Sequence, residues 1–229
     1  MAMPGTARPD SAALECGPMS SAERRTVAQL KQPALQPVES GSSSMRIMQT
    51  VRFDTQDGWA VSPEGNVAVV RSVPYRVEWL FADRAPVIGP AMPFTPIQVT
   101  REETERANAA FREQMASQGS GTSVVGPDGQ RRSPDAALAK AALPSRDVKP
   151  AFEATMTVAG PDNTVWVRRH VVDGREAVYD VFDARGRRIH SVEMPPRRIK
   201  VIGVGRHGVY LVRIDDDGLQ YLERWNRPW

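Results

Sequence analysis

The chain has 229 residues, and its 30 Lys+Arg against 27 Asp+Glu leave a formal net charge of only +3. That balance gives no general basis for nucleic-acid binding. The single cysteine, Cys16, excludes an internal disulfide and a Cys-based zinc site. No apolar run reaches the length of a membrane-spanning helix, and the first 25 residues lack the charged start and apolar block of a secretory signal peptide.

Residues 1–45 are rich in Pro, Ser, Gly and Ala and sustain neither a helical nor an alternating period. They are predicted to form a disordered tail, with room for one short helix over Ala22–Lys31. From Arg46 the pattern turns to short β pulses bounded by turn-formers, beginning with "RIMQTVRF" (Arg46–Phe53) and continuing to about Val99. The period then changes. Thr100 is a candidate N-cap, Glu103 completes a capping box, and good helix formers follow, with Ala107, Ala110, Phe111 and Met115 on one face. A helix is expected over 100–117, followed by a flexible loop over 118–150 in which Gly, Ser and Pro abound. From Phe152 the β pulses return.

These pulses repeat. "VAVVR" (Val67–Arg71), "VWVRR" (Val165–Arg169) and "VYLVR" (Val209–Arg213) align as second strands, each ending in Arg. Val77–Leu80, Tyr179–Phe182 and Leu219–Leu222 align as third strands, and two of the units finish in Met-Pro, at Met92–Pro93 and Met194–Pro195. A period of about 40–50 residues with four short antiparallel strands is the signature of propeller blades. The expected fold is therefore all-β: a partial β-propeller of about three four-stranded blades over 46–229, interrupted by the helical and flexible insertion. The third unit has only three strands, and "RIMQTVRF" reads as the outer strand of a further blade.

On "WAVSPEGNVAVVRSVPYRVEW" and "VYLVRIDDDGLQYLERW" the chain resembles the bacterial six-bladed β-propeller family related to NHL-repeat propellers. The resemblance implies the C-terminal half of a six-bladed ring, completed by further blades or by a homodimer. It also implies export of the full-length relatives and a binding or scaffold role. Some six-bladed propellers are metal-dependent lactonases or lyases, but no catalytic or metal-binding residue maps onto this sequence and no cofactor is implied.

Little in the sequence points to chemistry. His170, His190 and His207 stand apart, without metal-ligand spacing. "DDDG" (Asp215–Gly218) reads as a hairpin turn instead of a calcium loop, and "GVGRHG" (Gly203–Gly208) as strand–turn–strand instead of a dinucleotide site. Trp59, Trp79 and Trp166 sit at positions that suit packing between repeats. The candidate partner site is a basic cluster, Arg185, Arg187 and Arg188 with Arg197, Arg198 and Lys200, at the two ends of one strand. Such a cluster suits a protein or a carbohydrate-like polyanion. The turns "SPEGN" (Ser62–Asn66), "GPDNT" (Gly160–Thr164) and "GRHG" (Gly205–Gly208) are the expected ligand-facing loops.

Overall fold

The computed structural model describes residues 10–18, 20, 22–39, 46–118, 124–125, 131–132, 142–195 and 198–227. In chain order the strands begin with β1 (Ser11–Cys16), β2 (Arg25–Lys31), β3 (Leu35–Glu39) and β4 (Arg46–Thr50). Next come β5 (Gly58–Val61), β6 (Val67–Ser72), β7 (Tyr75–Leu80), β8 (Val87–Ile88) and β9 (Ile97–Gln98). After the helix α1 (Arg101–Gln118) lie β10 (Val124–Val125), β11 (Arg131–Arg132) and β12 (Val148–Lys149). The C-terminal part carries β13 (Phe152–Gly160), β14 (Thr164–Arg169), β15 (Val178–Phe182) and β16 (Arg188–Glu193). It ends with β17 (Arg198–Val204), β18 (Val209–Ile214) and β19 (Gln220–Trp225). The fold is mostly β, in several small antiparallel sheets.

These elements divide into two compact units. The smaller is built from Pro33–Asp54 and Gln98–Val148. In it α1 is capped as expected, with the Glu103 amide donating to Thr100 Oγ1 at 3.1 Å. Strand β4, expected at the outer edge of a blade, instead pairs antiparallel with β3 as a two-stranded ladder. Within the expected flexible loop over 118–150, β10 pairs with β11, β12 pairs with β9 and Ser145 bridges to Arg52, while the rest of 119–141 lies outside the described residues.

The larger unit comprises Pro9–Gln32, Thr55–Ile97 and Lys149–Trp229. Its first element corrects the sequence reading, because β1 and β2 form an antiparallel hairpin where a disordered tail with an optional helix was expected. The sequence there is weakly patterned, and remote contacts hold the hairpin. Lys31 donates its amide to Asp57 Oδ2 at 3.1 Å, and Arg71 Nη1 reaches the Gln29 carbonyl at 2.6 Å.

Three sheets follow: β5-β6-β7-β8, β13-β14-β15-β16 and β17-β18-β19. These are the three repeated units of the sequence. Their registers superimpose, with Val69 opposite Glu78, Val167 opposite Asp180 and Leu211 opposite Glu223. The Met-Pro match is structural too: the amides of Met92 and Met194 donate to the carbonyls of Tyr75 and Ala177, equivalent residues of two third strands. One alignment is corrected. In the third sheet Leu222, not Leu219, occupies the position of Val77 and Tyr179, because Leu219 closes the turn by accepting the Asp215 amide.

With that register a repeated ion pair appears. The arginine at the end of each second strand reaches diagonally to the acid of the third strand: Arg71–Glu78 at 2.8 Å, Arg169–Asp180 at 3.8 Å and Arg213–Glu223 at 2.6 Å. The acids of the first two sheets are buried. A buried carboxylate is tolerable only with close partners, and Glu78 also holds Arg76 while Arg71 also holds Asp57.

Successive sheets pack through alternate faces. Ala68, Val70, Val77 and Trp79 on the trailing face of the first sheet meet Val165, Val167 and Phe182 on the leading face of the second. Trp166, Tyr179 and Val181 on the trailing face of the second meet Ile199, Val201, Val209 and Leu211 of the third. Polar bonds pin both seams. Trp79 Nε1 donates to the Asp183 carbonyl at 2.9 Å, Tyr75 Oη to Asp180 Oδ2 at 3.3 Å, and the Val201 amide to Tyr179 Oη at 3.1 Å. Burial and the adjacent Asp180 carboxylate raise the Tyr75 phenol above its ordinary pKa, so it stays a donor.

The first seam also needs a close backbone approach. Gly186, in the β15–β16 turn, has φ +67°, and a Cβ there would lie 2.5 Å from the Val77 carbonyl oxygen of the first sheet. Gly218 has a similar φ of +81° but nothing within 4 Å. Gly218→Ala is therefore expected to cost about 1 kcal/mol from backbone strain alone, and Gly186→Ala about 3 kcal/mol from strain plus overpacking. Urea unfolding of the two variants measures the difference, and equal losses would contradict the close approach. Asp180→Ala is expected to cost about 3 kcal/mol by the same measurement, since it strands buried partners.

Candidate functional site

The expected binding cluster is split by the fold. Arg185, Arg187 and Arg188 belong to the β15–β16 turn, which docks on the first sheet. The Arg185 and Arg187 amides both donate to Asp183 Oδ1 at 2.9 Å, and the Arg187 guanidinium grips Asp183 Oδ2 at 2.8 and 3.0 Å. Partial burial opposes ionisation of Asp183, but these donors outweigh it and hold the carboxyl below the usual range. Arg188 Nη1 lies 3.6 Å from Asp180 Oδ1, so it helps neutralise the most buried acid. Arg197 and the side chain of Arg198 lie outside the described residues. Lys200, near the start of β17, faces a different site at the opposite end of the sheets.

Two of the three expected ligand-facing turns are engaged with each other, while Arg206 and His207 of "GRHG" are exposed. Ser62 Oγ and Asn66 Nδ2 both donate to Asn163 Oδ1, at 3.1 and 2.8 Å, and the Asp162 amide donates to Glu64 Oε1 at 3.1 Å. The turns "SPEGN" and "GPDNT" thus clasp each other across the first seam. Trp79 and Trp166 are fully buried between sheets, as their repeat positions predict, while Trp59 is exposed. "DDDG" is the expected hairpin turn, with the Asp215 carboxylate accepting the amides of Asp217 and Leu219.

A cleft of about 860 Å³ opens between the second and third sheets. The β14–β15 turn supplies Arg175 and Glu176, the β18–β19 turn supplies Asp215 and Asp216, and Lys200 closes one side. Met156 and Ile199 form its apolar part, with Arg168 and Arg213 from the second strands. Arg213 is committed to Glu223, and its guanidinium also lies 4.3 Å from the Tyr221 ring centroid. Arg168 Nε lies 3.3 Å from Glu153 Oε1, close as an ion pair but poorly directed as a hydrogen bond. Among the described residues, Arg175, Lys200, Glu176 and Asp216 make no ion pair. Two cations and two acids therefore face the cleft with charge to offer.

Behind Arg168 lies a small charged group that sequence reasoning did not anticipate. Lys149 donates from Nζ to the Val171 carbonyl at 2.9 Å. Burial, reinforced by Lys149 and Arg168, depresses the His170 pKa to about 4, so the ring is neutral near pH 7. Burial also raises Glu153, against the pull of Arg168 and Lys149. Among the described residues no three His, Cys, Asp or Glu side chains converge as a metal site would require. No family model, curated protein or solved structure matches the chain.

The depressed His170 carries a pH signature. Unfolded, it binds a proton near pH 6.5; folded, it does so only near pH 4. Between those values the unfolded state holds more protons, so stability falls as pH is lowered through the window. Glu153 acts with the opposite sign, because its raised pKa favours the folded state where the carboxyl is protonated. The decisive comparison is therefore between wild type and His170→Asn. The variant is expected to lose less stability between pH 6.5 and 4 in parallel urea titrations, and identical slopes would contradict a neutral, half-buried imidazole.

Proposed function

We propose that the larger unit is a run of three β-propeller blades and that the chain is a non-catalytic binding module. The observation that carries this reading is the threefold recurrence of one sheet, with the same register, diagonal ion pair and face-to-face seam. Propellers stack blades in this manner and present ligands to the loops at their ends. The resemblance to six-bladed, NHL-like propellers agrees with it. Among the described residues no fourth strand pairs with β19, which fits a final blade whose outer strand comes from elsewhere.

We place the ligand-facing end at the cleft, because two turns at the other end, "SPEGN" and "GPDNT", are spent on one another. Its lining balances Arg175 and Lys200 against Glu176 and Asp216. A polyanion gains little from such a surface, whereas a peptide segment carrying both charge signs matches it. A protein partner is therefore favoured over a carbohydrate polyanion. The alternative, a metal-dependent propeller hydrolase or lyase, draws no support from the described residues.

A peptide-display selection on the immobilised protein tests this reading. Enriched peptides are expected to carry both acidic and basic residues, and Arg175→Glu/Lys200→Glu to weaken them at least about tenfold. Retention on heparin resin that depends on Arg175 and Lys200, with no peptide enriched, would replace the protein partner by a polyanion.

A further inference from the structure

The repeat makes a demand that the described residues do not meet. On the trailing faces of the first two sheets, Ala68 and Trp166 hold one equivalent position and Val77 and Tyr179 another, and all four are buried by the next sheet. The same two positions in the third sheet are Tyr210, 39% exposed, and Leu222, 72% exposed. Ile202 beside them is 46% exposed. Three large apolar side chains on one contiguous sheet face mark an interaction surface.

The leading face shows the converse. In the third sheet Val201 and Val204 are buried against the second. Their ladder equivalents in the first sheet are Trp59 and Val61, which are 47% and 51% exposed. The β1–β2 hairpin reaches this sheet through Arg71 and Asp57 and leaves these two side chains open. Val69, opposite Trp59, is already buried, so the chain displays a trailing face on its third sheet and the Trp59–Val61 part of a leading face on its first.

We propose that a second copy of this chain supplies the missing partner. The trailing face of the third sheet of one copy docks on the leading face of the first sheet of the other, and reciprocally. The internal seams provide the template: apolar side chains from the second and third strands of one sheet meet the first and second strands of the next. Two such contacts join two three-sheet runs into one closed cycle of six, within the four to eight blades of known propellers. The inference rests on the propeller reading above, since it extends the repeat across a molecular boundary.

Light scattering coupled to size exclusion tests it on the full chain. Wild type is expected at twice its 25.3 kDa mass. Tyr210→Glu/Leu222→Glu and Trp59→Glu/Val61→Glu each place charges at exposed positions and are expected to be folded monomers, with circular dichroism checking the fold. Mixing the two variants is the decisive arm. One intact trailing face then meets one intact leading face, so dimers are expected to reappear. A monomeric wild type up to about 100 μM overturns the proposal, since specific interfaces of ordinary size associate well below that. So do variants that remain dimeric, larger open assemblies, or a mixture that stays monomeric, which would mean like faces meet like. Wild type alone decides the matter should either variant fail to fold. A failed dimer alongside measurable coupling between Tyr75 and Asp180 would sink this inference and leave the repeat reading intact.

Discussion

The carboxylate of Asp180 is fully buried at the junction of two sheets, and the larger unit is organised around keeping it satisfied. Tyr75 crosses from the first sheet to reach it, Ser191 donates to it at 2.6 Å from the neighbouring strand, and Arg169 and Arg188 flank it. A charge in that position is costly unless each of these partners is in place. It thereby fixes the strand register, the order in which the sheets stack and the placement of the β15–β16 turn. The same logic repeats more openly at Glu78 and Glu223, where an arginine from the second strand answers an acid on the third. Hydrophobic alternation builds each sheet; the diagonal ion pair selects one register.

That commitment also draws in the basic turn of the second sheet. Arg187 and Arg188 are engaged by Asp183 and Asp180, Arg185 is held by its amide alone, and the glycine lets the backbone lie against the first sheet. Charge of both signs gathers at the other end, where the cleft lies between the β14–β15 and β18–β19 turns. The proposed binding role therefore falls to turns that packing does not use.

The sequence revealed much of this. The three repeats, the second-strand arginines, the Met-Pro pair, the helix after Thr100 and the hairpin at Asp215 were all legible, because each rests on local periodicity or turn chemistry. Other features were not. The β1–β2 hairpin hangs on Asp57 and Arg71, far along the chain, so its own weak pattern reads as a tail. Strand β4 finds a partner in β3 instead of a blade. The third strand of the last sheet is displaced by three residues because alternation alone does not locate an edge strand; pairing Glu223 with Arg213 was the signal that would have placed it. Of the described side chains of the basic cluster, only Lys200 reaches the cleft, and Arg175 and Glu176 went unnoticed because nothing in a turn sequence shows which turns remain open.

The central claim is that these sheets pack as consecutive repeats, trailing face on leading face, with Tyr75 of one meeting Asp180 of the next. A double-mutant cycle of Tyr75→Phe and Asp180→Asn, measured by equilibrium unfolding, addresses that contact directly. A coupling energy of about 1 kcal/mol is expected for residues sharing one buried hydrogen bond. Additive losses, with no coupling beyond error, would contradict the packing of the first two sheets and with it the repeat.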